Sequence, residues 1–128
     1  ILMAAGDIFL KQNQSKEALD KFKSAKKEMS IYGGEGQYYQ INPRIGLAYL
    51  ALGDLAEAEI IFAELSKQNK ISIGRLYGDY GLALIKFKKG NVEQANDLLD
   101  NVKEELSKRT SSNLLLKLIK EFEKTLKG

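Results

Sequence analysis

The sequence predicts an all-α fold built as an array of paired helices, and three observations carry that reading. First, Ala18, Ala58 and Ala95 stand in matching surroundings, spaced 40 and 37 residues apart. Twelve positions before each stands a tiny residue (Gly6, Gly46, Ala83), and five before stands one tolerant of positive φ (Asn13, Gly53, Gly90). Directly before come Glu17, Glu57 and Gln94, and four after come the large apolar Phe22, Phe62 and Leu99. A self-similar period of this size marks a stacked array. Second, a single proline and an abundance of Lys, Glu, Leu and Ala favour helix over sheet. Third, apolar residues recur at intervals of three and four, as on one face of a helix. The 128 residues suffice for one continuous array, and a 44% hydrophobic content supplies its core.

Taken in order, residues 1–12 place Ile1, Met3, Ala4, Ile8 and Phe9 at helical spacing. Asn13 can take the left-handed conformation that ends this first helix. Gln14 or Ser15 opens the second, which runs to about Ile31 with Ala18, Leu19, Phe22, Ala25 and Met29 on one stripe. Gly33, Gly34 and Gly36 break the pattern. The third helix ends at Leu52–Gly53. It starts either at Asn42–Pro43, as N-cap and first-turn proline, or with a helical turn over Gln37–Gln40 that kinks at Pro43. Asp54-Leu55-Ala56-Glu57 reads as a capping box opening a fourth helix that carries Leu55, Ala58, Ile61, Phe62 and Leu65. Residues 73–89 form the fifth helix, with Leu76, Tyr80, Ala83 and Phe87 apolar, and Gly90 stops it. Asn91-Val92-Glu93-Gln94 reads as a second capping box, before Ala95, Leu98, Leu99 and Val102. After Ser111–Ser112 a last helix carries Leu115, Leu118, Ile119, Phe122 and Leu126 on one face. It lacks the repeat pattern and reads as a cap over the apolar flank of the array.

These residues resemble the tetratricopeptide repeat, a helix–turn–helix unit of about 34 residues. The likeness covers roughly residues 1–105. It is carried by Gly6, Phe9, Ala18, Phe22 and Ala25, then Gly46, Tyr49, Gly53, Ala58 and Phe62, then Ala83, Gly90, Ala95 and Leu99. The third unit departs from the pattern: Lys86 stands where an aromatic is usual, with Phe87 beside it. The family's tryptophan and closing proline are absent, and the periods resemble those of its longer-period members. The resemblance implies a right-handed α-α superhelix of about three repeats (1–33, 37–70, 73–109) plus a capping helix (112–127). In that pattern Gly6 and Gly46 would face their alanine partners, and the aromatics would fill the gap toward the next unit. The chain begins at Ile1 inside a periodic stretch, which reads as a piece of a longer protein.

Function then follows from the resemblance. The first helices of the pairs would line a concave groove that holds a partner segment. The repeat register puts Met3, Asp7, Leu10, Leu47, Leu50, Tyr77, Tyr80, Leu84 and Phe87 on or near that surface, with Pro43 and Lys88 close by. Exposed apolar surface of this kind marks a partner site. Tyr77, Tyr80 and Phe87 would be the anchors, so Tyr80→Ala with Phe87→Ala would weaken binding without unfolding the array. Some tetratricopeptide domains clamp a C-terminal carboxylate with two Lys and two Asn. Met3, Asp7 and Tyr77 stand where parts of that clamp belong, so this chain departs from it. The alternative is a regulatory or self-association segment, forming a homo-oligomer or binding elsewhere in its own chain.

Composition narrows the chemistry. The chain has no Cys and no His, which excludes zinc sites built on them, thiol nucleophiles and His-based acid–base catalysis. No catalytic constellation or metal site is read, so the expectation is a non-enzyme without cofactor, although Asp, Glu, Lys and Tyr alone can catalyse. Asp97 and Asp100 read as a surface pair. A cytoplasmic location is compatible with the missing cysteines. No apolar run reaches the ~18 residues of a membrane span. Net charge is +3. Lys21, Lys23, Lys26 and Lys27, like Lys117, Lys120, Lys124 and Lys127, alternate with Glu17, Glu28, Glu121 and Glu123. That mixture reads as solvated helix faces and argues against nucleic acid. Gly33–Gly36 lacks the Gly-Lys-Ser/Thr ending of a phosphate loop and reads as a turn. Asn13-Gln14-Ser15 fits a glycosylation triplet but sits in a tight helix turn.

Overall fold

The computed structural model of the chain describes residues 2–31, 38–67, 73–108 and 113–127. Among these residues every regular element is a helix: α1 (Leu2–Lys11), α2 (Ser15–Ile31), α3 (Tyr38–Leu52), α4 (Leu55–Ser66), α5 (Ile73–Lys88), α6 (Val92–Ser107) and α7 (Asn113–Lys127). The expected turns at Gly33–Gly36 and Ser111–Ser112 lie outside the described residues, as do Ile1 and the side chains of Met3 and Leu126. No helix of the described residues is long and apolar enough to cross a membrane.

The chain reverses between paired helices through one recurring turn. Asn13, Gly53 and Gly90 have φ of 61°, 82° and 87°. Their N–H groups donate to the carbonyls of Leu10, Leu50 and Phe87 at 3.0–3.2 Å. The next residues, Gln14, Asp54 and Asn91, donate to Phe9, Tyr49 and Lys86 at 2.8–2.9 Å. This Schellman arrangement satisfies carbonyls that a helix end leaves open. The carbonyls of the same three residues then accept from Ala18, Ala58 and Ala95, so each turn ends one helix and begins the next.

Two details of the turns differ from expectation. Asp54 Oδ1 accepts from the Glu57 N–H at 3.2 Å, but the Asp54 N–H is already bonded to Tyr49 O, so the reciprocal half of the capping box has no donor left. Asn91 makes no side-chain cap bond at all. Its N–H is likewise taken, by Lys86 O, and Gln94 turns outward to accept from Lys86 Nζ at 3.0 Å. Of the two starts for the third helix, the longer holds: α3 begins at Tyr38 and runs through Pro43. Proline there removes one i→i−4 bond inside the helix.

Consecutive helices pack on one another along the chain, and α3 also touches both α1 and α5, so these three helices form a row. Three core clusters follow in sequence. The first surrounds Phe22, with Ala18, Ala25, Ile41 and Ile45. The second holds Leu50, Ala58, Phe62, Leu65 and Ile85. The third joins Tyr80, Ala83, Leu99 and Val102 to Leu115 and Ile119 of α7. Partly buried Leu47 and Leu84 pack against both the second and the third cluster, and Tyr49 and Ile61 against both the first and the second.

The atoms nearest to the pair glycines belong to aromatic rings. A Cβ added at Gly6 would meet the Phe22 ring at 2.5 Å, and one at Gly46 the Phe62 ring at 2.6 Å. Each glycine makes room for the aromatic of its own pair. In the third pair the smaller Leu99 replaces the ring, and Ala83 fits where glycine stood before. Phe62 is gripped from the other side as well, because Gly81 of α5 also abuts its ring. Gly78 brings α5 against the α4 backbone: a Cβ there would meet Ser66 N at 2.5 Å and Phe62 O at 2.7 Å.

Candidate functional site

A groove of about 560 Å³ opens between α3 and α5 and is bounded on one side by α7. Its α3 wall is Leu47, Leu50 and Ala51; its α5 wall is Tyr80, Leu84, Phe87 and Lys88. Counted from Leu47 and from Tyr80, the other positions lie three, four, seven or eight residues on, so each wall is a single helical stripe. Phe122 of α7 completes the lining. Its ring meets Phe87 edge-on, with centroids 5.1 Å apart and planes at 69°. Edge-to-face contact matches the positive rim of one ring to the negative face of the other, which fixes both side chains.

The expected groove residues divide into three groups. Leu47, Leu84 and Phe87 line the groove and are half-buried. Leu50 and Tyr80 line it as floor, but they are 5% and 4% exposed and belong to the core. Tyr80 is therefore not a free anchor. Tyr80→Ala removes a ring packed among Leu76, Leu99 and Val102, so the double alanine variant is expected to lose stability as well as groove surface. The reason is that a face exposed in one helix pair is covered by the next pair and by α7. Leu10 packs against the Phe22 cluster and does not line the groove. Pro43 is buried and does not line it either.

Asp7 and Tyr77 belong to a polar crossing of the odd-numbered helices. Arg44 Nε of α3 donates to Asp7 Oδ1 of α1 at 2.9 Å, with side chains 27% and 40% exposed. Tyr77 of α5 feels both charges. Burial pushes its hydroxyl up, Asp7 adds to this, and Arg44 opposes it. The Tyr80 hydroxyl is pushed up to about 12, chiefly by burial and then by Tyr77 and Glu121. Both phenols are neutral over the ordinary pH range, so Tyr80 brings no charge to the groove floor. Met3 shares α1 with Asp7, and its side chain lies outside the described residues.

Phe122 and Ala51 are the lining residues that sequence reasoning missed. The signal for Phe122 was present, since it continues the apolar stripe of α7 one turn beyond Leu115 and Ile119. Those two are 1% and 0% exposed and suffice to cap the core, which leaves Phe122 for the groove wall. A second, smaller pocket of about 210 Å³ lies between α5 and α6, lined by Arg75, Leu76, Asp79, Asn101, Glu104 and Glu105. Asp79 there accepts a hydrogen bond from the Ser66 hydroxyl. Among the described residues no three His, Cys, Asp or Glu side chains come together as metal ligands.

The chain matches no family model, and it shows no significant similarity to a curated protein or to a solved structure.

Proposed function

We propose that this chain is a tetratricopeptide-like, right-handed helical array. Its function is to hold a segment of a partner protein in the groove between α3 and α5, without catalysis. One observation carries the reading: an open groove of about 560 Å³ whose lining, among the described residues, is apolar or aromatic except for Lys88. Concave apolar surface with few polar groups is the usual form of a binding site. Affinity comes from the anchors that the partner buries, at ~25 cal/mol per Å² of apolar area before the costs of ordering. The half-buried Leu47, Leu84, Phe87 and Phe122 provide the receiving surface. The reading does not include the two-Lys, two-Asn clamp for a C-terminal carboxylate, since Asp7 at the polar crossing is an acid, paired with Arg44.

Ala51→Trp tests the groove without touching the core, because Ala51 is exposed on α3 and its Cβ borders the groove. The variant is expected to keep its helical circular dichroism and to lose the partner that the wild-type chain retains. A folded variant that still binds would remove the groove from the reading. Self-association is the second reading, and the exposed Ile8, Ile31 and Ile60 (56%, 65% and 63%) favour it. Sedimentation across a range of concentrations separates the two. A monomer whose partner binding is lost in Ala51→Trp supports the groove, whereas concentration-dependent mass growth supports self-association.

A further inference from the structure

We infer that the occupant of the groove is an amphipathic helix of a partner protein that brings a carboxylate to Lys88. The inference rests on the groove reading and adds the chemistry of its ligand.

The charge argument starts from the lining, in which Lys88 is the one charged side chain among the described residues. It is exposed, and it makes no ion pair or hydrogen bond with another described side chain. Its neighbours are differently placed: Lys86 Nζ donates to Gln94 at 3.0 Å, and Lys89 Nζ to Glu59 at 3.0 Å. An ammonium thus lines an apolar groove with no acid paired to it among the described residues. A ligand carboxylate meets it beside low-dielectric walls, where the attraction exceeds that on open surface. The net charge of +3 steers an acidic partner toward the chain in the same sense. Within the groove Lys88 is thus the position that favours an acid.

The helical form follows from continuity with α7. Leu115, Ile119 and Phe122, four and three residues apart, lay one helical stripe on the cluster that contains Tyr80. Phe122 is where that stripe reaches the groove. The stretch lined by Leu47, Ala51 and Leu84 continues the same surface, so a second helix beside α7 buries its own stripe against α3, α5 and Phe122. An extended segment would bring unpaired backbone groups to an apolar surface, and the described residues offer no strand edge to pair them. A helix satisfies its backbone internally.

The test is a displayed library of helical peptides with a fixed Leu stripe and Glu, Gln or Lys at the flanking positions, selected on the full chain. Selection is repeated on Lys88→Glu and Ala51→Trp, both at exposed positions and both checked by circular dichroism. Wild type is expected to enrich Glu at one flank. Lys88→Glu is expected to weaken the selected acidic peptide roughly three- to tenfold, more at low salt, and to shift enrichment toward Lys. Ala51→Trp is expected to bind neither. Equal enrichment of Glu, Gln and Lys, or acidic binding untouched by Lys88→Glu yet lost in Ala51→Trp, overturns the carboxylate and leaves the groove standing. A library that yields no binder, or binding that survives Ala51→Trp, overturns the groove reading and the inference with it.

Discussion

Phe62 sits between two glycines from two different helices, Gly46 on α3 and Gly81 on α5, and is fully buried. A methyl added on either helix would meet its ring. Gly81→Ala gains helix propensity, worth ~0.5–1 kcal/mol, but the added methyl overpacks the ring, at a cost of about 1–3 kcal/mol. The expected net effect is a loss of stability in urea denaturation. The pairing of Ala83 with Leu99 indicates the remedy, a smaller residue opposite the alanine. Phe62→Leu combined with Gly81→Ala should therefore cost less than the sum of the single variants, by about 1 kcal/mol. Strict additivity would show that the ring and the glycine are not in conflict. Tyr80 makes a second residue-level claim, about pH. Its folded value of about 12 lies above the ordinary 10.0, so the fold favours the neutral phenol. That stabilisation is complete below pH 10 and is lost as pH rises toward about 12. It is worth on the order of 2–3 kcal/mol. Tyr77, raised by burial, and Lys23, raised chiefly by the neighbouring Tyr49, shift in the same direction. Stability should fall across this window, and less steeply in Tyr80→Phe. Tyrosinate absorbance that completes its rise near pH 10 with the helices intact would contradict the buried phenol.

At the scale of the element, the turns and α7 do different work. Gly53 and Gly90 hold positive φ with open space around the position of a Cβ, so alanine there meets backbone strain and no clash. Gly90→Ala should cost about 1 kcal/mol. Asn13→Gly, at the equivalent position of the first turn, should gain up to about 1 kcal/mol by relieving the same strain. Thermal melts of the two variants should therefore move in opposite directions, and a shared direction would remove the equivalence. For α7, Ile119 is fully buried whereas Phe122 is half-buried at the groove. Ile119→Ala should cost about 2–5 kcal/mol and speed amide exchange along α7. Phe122→Ala, which forfeits the edge contact with Phe87 and part of its burial, should cost about 1–2 kcal/mol and leave α7 protected. The bridge between Lys103 and Glu123, over a third exposed at both ends, adds less than ~1 kcal/mol. Exchange of α7 that responds equally to both variants would place its anchor elsewhere.

For the whole molecule, the sequence made the helices and their turns legible, because periodicity and turn chemistry are local. Asn13, Gly53 and Gly90 were identifiable since positive φ belongs to few residue types. What covers a face is not local. The stripe of α5 reads the same whether it meets solvent or α7, so Tyr80 looked like an anchor and Phe122 like a simple cap. Gly78 and Gly81 went unread for the same reason, since their partner is α4, the second helix of the preceding pair. They make α4–α5 the joint between the two halves of the chain. Helices packed mainly on their chain neighbours have stability that is close to a sum of local terms and interface terms. Unfolding stays cooperative only while every interface outweighs the difference in stability between the parts that it joins. At Gly78 an added methyl meets backbone atoms, Ser66 N and Phe62 O, which no side-chain rotation can move. Gly78→Ala should therefore push α5 away from α4 and uncouple α1–α4 from α5–α7. Its urea transition should broaden or split, with a lower apparent slope, and amide exchange should separate into two groups at that joint. A single sharp transition with an unchanged slope would mean that cooperativity does not pass through the contact between α4 and α5.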